Sequence, residues 1–213
     1  PRSPPPSPPR RSPALLPGQA PPFAVNAPAA AESCVARIAA RHGRFDILVA
    51  NAGINHRAPI SGFELADFQR VIGTNLTSVW VLCKAAAREM IPRREGRIIM
   101  TGSISAINAR STISAYVASK GAVHSLTKQL AVELAPDHIT VNCIALGTMN
   151  LGQLAVALET EPELEAKLAR HYPAGRIVRV DDSAPLAVLL CSDAAEWITV
   201  PVYPVDGCYA SAL

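Results

Sequence analysis

Apolar residues in this sequence follow two alternating patterns. Short, nearly continuous apolar runs are typical of strands covered on both faces of a parallel sheet, and they occupy 46–50, 97–100, 139–145 and 202–205. Longer stretches with apolar residues three and four apart are typical of helices with one buried face, and they occupy 32–41, 65–91 and 115–134. The repeated alternation of strand and helix predicts an α/β fold with a doubly wound parallel sheet.

Capping and helix-breaking residues set several of the expected boundaries. Pro92 ends the helix at 65–91, because proline lacks the amide hydrogen that a helix interior requires. Thr160 followed by Glu163 is the pattern of a capping box and predicts a short charged helix to about residue 171. Pro185 predicts the start of one more helix before the last strand.

The first residues differ in composition from the rest of the chain. Residues 1–22 are mostly Pro, Ser, Arg and Ala, which bury too little apolar surface to offset the entropy lost on ordering, so a disordered leader is predicted. The remainder, 23–213, is apolar enough for one α/β domain. The leader has no continuous apolar stretch, which argues against a secretory signal, whereas an organelle transit peptide stays open as a minor alternative.

Charge and cysteine usage narrow the classes of partner. The net charge is +3 and several positive residues lie in the leader, so the domain shows no basic face for nucleic acid. The longest uncharged stretch, around 139–160, carries polar residues and does not suit a bilayer span. The five cysteines are scattered, with no Cys-x-x-Cys pair, which predicts buried, reduced thiols, no metal site and a cytoplasmic protein.

Tyr116 and Lys120 are four residues apart in a predicted helix and therefore lie on one face, about one turn from each other. A free tyrosine has a pKa near ~10, and a nearby cation makes it a better proton carrier near neutral pH. Taken alone, the pair also fits a packed tyrosine beside a lysine that reaches solvent. Ser103 favours the first interpretation, because it follows the strand at 97–100, at the sheet edge where open α/β folds bind ligands.

In residue type and spacing, Ser103, Tyr116 and Lys120 resemble the catalytic trio of the short-chain dehydrogenase/reductase family, and Asn75 resembles its fourth member. The resemblance implies a Rossmann-like oxidoreductase in which Tyr116 takes the substrate hydroxyl proton while a hydride passes to the nicotinamide of NAD or NADP. Ser103 would hold the carbonyl oxygen by a hydrogen bond. Lys120 would lower the Tyr116 pKa and bind the nicotinamide ribose. Asn75 would order a water chain that relays the proton.

Two further segments resemble cofactor-binding parts of that family. Asn51, Ala52 and Gly53 match the turn that packs against the adenosine side of the cofactor, where glycine permits close backbone approach. Gly147 and Thr148 match the segment that touches the nicotinamide. Together with the tyrosine and lysine of the catalytic trio, these residues form the implied site for NAD or NADP.

Within the family, 51–57 and 172–176 resemble stretches of the gluconate 5-dehydrogenase subgroup, which implies a sugar acid or a related alcohol or ketone as substrate. His56 and Arg57 are candidate contacts for a carboxylate or polyol, and a solvated loop explains them equally well. The other four histidines have no partner spacing and are predicted to be structural or surface residues: His42, His124, His138 and His171.

The chain departs from the family's pattern at its start. No Gly-x-x-x-Gly-x-Gly turn occurs in the sequence, although the family places one after its first strand so that backbone amides meet the pyrophosphate. Ala24 stands where an adenine-contacting Asp is expected. The resemblance therefore implies an N-terminally truncated domain, in which the strand at 46–50 becomes an open edge. Val200 and Cys208 replace glycines of the family and are expected to loosen turns.

Two hypotheses of different class follow. The first is an oxidoreductase acting on a small molecule, with 148–176 as a substrate lid. The second is a truncated, non-catalytic protein that keeps an interaction surface. The intact catalytic set favours the first hypothesis, and the missing glycine-rich turn favours the second. For either, the resemblance implies a homo-oligomer, a dimer or tetramer, formed through the two long helices.

Overall fold

The computed structural model describes residues 24–151, 153–161 and 163–212, so the leader predicted at 1–22 lies outside the described residues. Within them, four parallel strands form one sheet in the order β1-β2-β3-β4. The strands are β1 Ile47–Ala50, β2 Gly96–Ser103, β3 Ile139–Leu146 and β4 Val202–Val205. All four predicted strands are therefore confirmed.

Helices cover both faces of this sheet. They are α1 Pro28–His42, α2 Leu65–Ile72, α3 Ser78–Met90, α4 Ser114–Leu134, α5 Gln153–Thr160, α6 Glu163–Ala169 and α7 Val180–Cys191. α1, α3 and α4 share one core with strand residues such as Leu48 and Val141. α7 packs on the opposite face, where Leu190 clusters with Ile99. This two-sided cover confirms the predicted doubly wound α/β fold.

The outer strand β1 is covered on one face only, so the prediction of two covered faces is wrong there. Leu48 and Ala50 are buried, whereas Ile47 is 43% and Val49 is 49% exposed. Val49 pairs in register with Ile99, whose face is covered by α7, but α7 lies mainly over β2 and β3. Among the described residues, no strand pairs with the outer side of β1. Two large apolar side chains therefore face solvent at this edge.

The helix predicted at 65–91 is interrupted by a π-helical turn, Gly73–Thr77, between α2 and α3. Such an insertion widens the helix locally and is frequent at functional sites. Here it carries Thr74 and Asn75 into the interior. α3 ends at Met90, and Pro92 lies in the following turn, as predicted.

The predicted short charged helix is confirmed as α6, but its predicted cap is wrong, and so is the predicted start of α7. Thr160 is the last residue of α5, and its hydroxyl donates back into that helix, so it caps no following helix. α7 begins at Val180 rather than at Pro185. The Asp182 carboxylate accepts a hydrogen bond from the Arg179 N–H at 2.7 Å and fixes the helix start there. Pro185 lies inside α7.

All five cysteines are free thiols. Cys34, Cys83 and Cys143 are buried as predicted, and Cys191 is half-buried. Cys208 is exposed, which corrects the prediction for that residue. In the part of the chain that the structure describes, no group of three or more His, Cys, Asp or Glu side chains could hold a metal ion. None of the described helices is long and apolar enough to span a membrane.

Candidate active site

A cavity of about 930 Å³ opens where the carboxyl ends of β2 and β3 meet the start of α4. Its volume is in the range of sites for small molecules, and its place at the carboxyl ends of parallel strands is where open α/β sheets bind ligands. Five predicted site residues line it: Gly53, Ser103, Tyr116, Gly147 and Thr148. The fold therefore brings together residues that are distant in the sequence.

Ser103 and Tyr116 lie on the same wall of the cavity, because one ends β2 and the other lies in the first turn of α4. Ser103 is only 5% exposed, and its hydroxyl accepts a hydrogen bond from the Ser105 N–H at 3.1 Å. The Ser103 hydroxyl also acts on the Tyr116 pKa through a side-chain hydrogen bond. The two hydroxyls predicted to hold the reacting oxygen are thus neighbours.

The pKa of Tyr116 is raised above its ordinary value, because burial disfavours the charged phenolate. The hydrogen bond from Ser103 and the charge of Arg110 lower this pKa without reversing the rise. The sequence interpretation expected Lys120 to lower it. Lys120 Nζ lies 5.8 Å from the Tyr116 ring centroid and donates to the Thr101 carbonyl at 2.7 Å, and its effect on the Tyr116 pKa stays a prediction. Arg110 is a second cation, and its charge lowers this pKa.

Lys120 lies behind the cavity wall and is 4% exposed. Burial lowers its pKa to about 8, and the neighbouring Cys143 thiol opposes that change. Lys120 Nζ is 3.5 Å from the point where a Cβ at position 53 would lie. Gly53 therefore leaves the ammonium within reach of a molecule in the cavity, while a larger residue would stand between them.

Asn75 is fully buried, and its amide joins the loop after β1 to α4. Its Oδ1 accepts from the Ile54 N–H at 2.8 Å, and its Nδ2 donates to the Ile54 carbonyl at 2.9 Å and to the Ser119 hydroxyl at 3.1 Å. The Ser119 hydroxyl donates to the Tyr116 carbonyl at 2.7 Å. The π-helical turn thus directs an amide that fixes the loop beside Tyr116, and a role in ordering water stays a prediction.

The remaining predicted cofactor residues occupy two places. Asn51 and Ala52 are exposed at the end of β1, outside the cavity lining, and Asn51 Oδ1 accepts from the Thr101 hydroxyl at 2.9 Å. Gly147 and Thr148 continue from β3 into the cavity. A Cβ at Gly147 would come within 2.7 Å of a side chain of the neighbouring segment, so glycine lets this strand end pack closely against that segment.

The described residues fit the nicotinamide half of a dinucleotide. Gly53 and Gly147 both line the cavity, and Lys120 is a buried donor beside Gly53. The pyrophosphate half is different, because no strand and glycine-rich turn lie beside β1 among the described residues. The cavity therefore has groups for the nicotinamide and its ribose but lacks the usual phosphate cradle.

The two loop residues predicted as candidate substrate contacts have different surroundings in the structure. Arg57 lines the cavity. His56 turns toward the loop, where its ring packs edge-on against Phe63 at 5.3 Å and its Nε2 lies 3.4 Å from the Asp67 carboxylate. Only Arg57 is placed to meet a ligand.

The segment predicted as a lid, 148–176, forms one wall of the cavity. It contributes α5, α6 and the turns around them, and its cavity-lining residues beyond Met149 are aliphatic: Leu151, Leu154, Ala157, Leu164 and Leu168. Such a wall can exclude water from a bound molecule. The hydroxyl of Tyr172 accepts from the Thr148 N–H at 2.7 Å and fixes the start of this segment.

Sequence interpretation missed two charged or titratable side chains at the site. Arg110 lines the cavity and acts on the Tyr116 pKa. His124 was expected to be structural or on the surface, and it lies under the site, where its Nε2 accepts from the Ser103 N–H at 3.4 Å. One signal existed for His124, since it follows Lys120 by four residues and therefore shares its helix face.

A family model described as enoyl-(acyl carrier protein) reductase matches residues 14–210. The gluconate 5-dehydrogenase of Gluconobacter oxydans is 36% identical over 173 residues, which are 81% of this chain and 67% of that protein. The inactive 2-(S)-hydroxypropyl-CoM dehydrogenase 2 of Xanthobacter autotrophicus is 36% identical over 163 residues, which are 75% of this chain and 71% of that protein.

Solved structures agree with these sequence relatives. A gluconate 5-dehydrogenase from Burkholderia cenocepacia, determined in complex with NADP and tartrate, matches with a TM-score of 0.84 and 37% identity, over 90% of this chain and 74% of that one. The family match spans most of the chain, and the fold places the family's serine and tyrosine on one cavity wall. The chain belongs to the short-chain dehydrogenase/reductase family, in which it resembles the gluconate 5-dehydrogenase subgroup.

Proposed function

We propose that this protein is an NAD(P)-dependent oxidoreductase that interconverts a hydroxyl and a carbonyl group on a sugar acid or a related small acid. The observation that carries the proposal is the meeting of Ser103 and Tyr116 on one wall of the cavity, with Lys120 directly behind it. In a short-chain dehydrogenase these are the side chains that handle the reacting oxygen.

Each side chain has a distinct task in this proposal. When bound, the nicotinamide supplies or accepts the hydride. Tyr116 moves a proton to or from the substrate oxygen, and the Ser103 hydroxyl donates a hydrogen bond to the same atom. Because burial raises the Tyr116 pKa, the phenol is protonated in the free protein at neutral pH, which is the form that reduction of a ketone requires.

The buried residues behind the wall support these groups. Lys120 would hold the ribose of the cofactor through its ammonium, which Gly53 leaves accessible. Asn75 keeps the loop after β1 docked against α4. Gly147 and Thr148 would contact the nicotinamide, and Asn51 and the neighbouring Ala52 would support the adenosine side.

The charge of the cavity supports an acidic substrate. Three arginines line it, Arg57, Arg70 and Arg110, and no Asp or Glu of the described residues does. A positive, partly closed cavity favours small anions. The similarity to gluconate 5-dehydrogenases, one of which was determined with tartrate, supports the same class of substrate.

The first experiment titrates the protein with NADPH and with NADH while nicotinamide fluorescence is followed, and then measures reduction of 5-keto-D-gluconate. Tyr116→Phe is expected to lower kcat by at least about 100-fold, because general acid catalysis is lost. Tyr203→Phe is the matched control, since Tyr203 lies on β4 outside the cavity. Absence of saturable binding of either nucleotide would instead support the non-catalytic alternative.

A homo-oligomer, dimer or tetramer, is part of the same proposal. Large apolar side chains are exposed on both long helices that the family resemblance implicates, Trp80 on α3 at 48% and Val132 on α4 at 72%. Burying them against a second copy would remove apolar area from water. Light scattering should give a particle mass of at least twice the chain mass, and Val132→Glu should lower the measured mass.

A further inference from the structure

Arg110 is a half-buried cation in the cavity with no anionic partner among the described residues. Its guanidinium lies over the ring of Tyr209, with 5.2 Å from Cζ to the ring centroid. A cation over an aromatic face is held in place, but the ring accepts none of its five N–H hydrogens as a carboxylate would. The guanidinium edge is therefore free to bind an anion.

Other arginines in this region are already paired. Arg70 also lines the cavity, but its guanidinium donates to the Asp67 carboxylate at 2.6 Å. Arg176 makes two bonds to Asp182, at 2.6 and 2.8 Å. Pairing neutralises these charges, so the cavity cations whose charge remains for a ligand are the half-buried Arg110 and the exposed Arg57.

The aromatic ring under Arg110 is buried and packed. Tyr209 is 9% exposed and packs against Tyr172 with 4.9 Å between ring centroids. Both belong to a small apolar cluster that includes Ile104, the residue after Ser103. The cluster therefore connects the ring under the guanidinium to the wall that carries the reacting hydroxyls, and a binding group supported in this way sets its distance from them.

We propose that Arg110 binds the carboxylate of the substrate while Tyr116 and Ser103 act on a hydroxyl or carbonyl of the same molecule. This inference rests on the proposed function and names the residue that selects an acid over a neutral polyol. Planar guanidinium and carboxylate groups form two parallel hydrogen bonds, which give direction as well as attraction. Arg57, which is exposed, is the competing candidate for the same anion.

The position also links substrate charge to the proton carrier. Arg110 lowers the Tyr116 pKa, and a bound carboxylate cancels part of that effect. An acidic substrate therefore meets a phenol that holds its proton more firmly than a neutral substrate does. The two kinds of substrate should give different pH profiles.

The test compares 5-keto-D-gluconate with its neutral amide, using NADPH as the reductant. Titration calorimetry gives the Kd of each compound, and steady-state assays give kcat/KM. In the unaltered protein the acid should be preferred by about 30-fold, in line with one charge-assisted bidentate contact. Arg110→Gln should remove the preference for the acid while kcat/KM for the amide stays within about threefold of the unaltered protein's value. Arg110→Lys should restore part of the preference for the acid.

Three readouts separate substrate recognition from damage to the fold. Arg110→Lys keeps a cation over Tyr209, and thermal unfolding of both variants should stay close to that of the parent. With the amide as substrate, Arg110→Gln should move the alkaline limb of the pH profile to higher pH, because the Tyr116 phenolate loses a cation that stabilises it. Arg88→Gln, on α3 and away from the cavity, should change neither compound's kcat/KM.

Two results would overturn the assignment while the oxidoreductase proposal stands: equal kcat/KM for acid and amide in the parent, or loss of acid preference in Arg57→Gln but not in Arg110→Gln. If the parent binds nucleotide yet neither binds nor reduces the acid, the proposed substrate class fails together with the role of Arg110. If the protein binds no nucleotide, titration calorimetry with 5-keto-D-gluconate alone still tests the assignment. An undetectable affinity for this acid would count against Arg110 as the residue that binds it.

Discussion

The Ser103 N–H donates a hydrogen bond to Nε2 of His124, 3.4 Å away. The imidazole fills the space beside Gly102, where a Cβ would come within 2.4 Å of Nε2. The His124 pKa is lowered, first by burial and then by the charges of Lys120 and Lys128. A nitrogen that accepts a hydrogen bond must be unprotonated, so the lowered pKa keeps His124 in the form that holds the backbone of Ser103.

Replacing His124 should therefore affect the position of Ser103 more than cofactor binding. For His124→Phe we expect kcat to fall by about 5-fold with the KM for the nucleotide unchanged, because one neutral hydrogen bond is worth about 1 kcal/mol. His124→Gln keeps an acceptor and should recover part of kcat. Steady-state kinetics on the three proteins, with matched thermal unfolding, give the comparison.

His124 should also set the lower pH limit of activity. In the parent, kcat should fall as the pH drops through the folded-state pKa of His124, which lies below 6.5, since protonation converts the acceptor into a donor. Because the unfolded chain binds this proton more readily than the folded one, stability should also fall below about pH 6.5. Both effects should be absent in His124→Gln, and an unchanged acid limb in that variant would refute the role of His124.

Lys120 should make the nucleotide-free protein less stable near neutral pH. Its folded-state pKa is about 8, against 10.5 when the side chain is exposed, so the folded state binds the proton less tightly than the unfolded chain does. The resulting loss of folding stability is fully present below pH 8. Between pH 8 and 10.5 the unfolded chain binds more protons, and stability from this group rises with pH. The full difference is about 3 kcal/mol.

Lys120→Met isolates the contribution of Lys120 to stability, because the variant and the unaltered protein have every other titrating group in common. Urea unfolding at pH 7 should show the variant to be more stable by up to about 3 kcal/mol, less whatever the lost hydrogen bond to Thr101 contributes. The advantage should shrink as the pH rises to 10.5. A difference between the two proteins that stays constant over this range would contradict the lowered pKa of Lys120.

Cys208 occupies a backbone conformation that suits glycine. Its φ is +69°, and the preceding Gly207 has φ +55°, so two consecutive residues are left-handed at the end of β4. A side chain in that region costs about 1 kcal/mol. Cys208→Gly should raise the free energy of unfolding by about 1 kcal/mol, measured by urea unfolding with a thiol reductant present. Cys208→Ala keeps the Cβ and should give no gain, and equal gains in both would show that the thiol, not the backbone, was unfavourable.

Local periodicity and spacing predicted much of this fold, since each strand run and each long helix stretch buries its own apolar face. What they could not predict depends on neighbours. The π-helical turn at Gly73–Thr77 retains apolar spacings of three and four, so its sequence looks like continuous helix. Thr160 and Glu163 have capping-box spacing, yet Thr160 is used inside the preceding helix. Pro185 lies in the second turn of α7, where local rules disfavour proline, so they placed the helix start too late.

The candidate site divides in the same way. Ser103, Tyr116 and Lys120 have a spacing that can be recognised in a single sequence. Arg110 and His124 belong to no motif, and their importance comes from tertiary contacts, one with the ring of Tyr209 and the other with a strand-end amide. For His124 the helix face shared with Lys120 was the one available signal, whereas Arg110 becomes visible only when the cavity is known.

The exposed face of β1 should make the free chain prone to self-association. Ile47 and Val49 present two half-exposed apolar side chains on a strand whose outer edge has no partner among the described residues, and such edges recruit further strands. Replacing both with threonine keeps the β-branched shape that strands prefer and removes apolar surface. Ile47→Thr/Val49→Thr should raise the concentration at which light scattering first detects aggregates, whereas Ile60→Thr, which changes a still more exposed isoleucine in a 3-10 turn, should not. If the double variant aggregates as readily as Ile60→Thr, another surface drives the association, and the helix residues Trp80 and Val132 become the ones to alter.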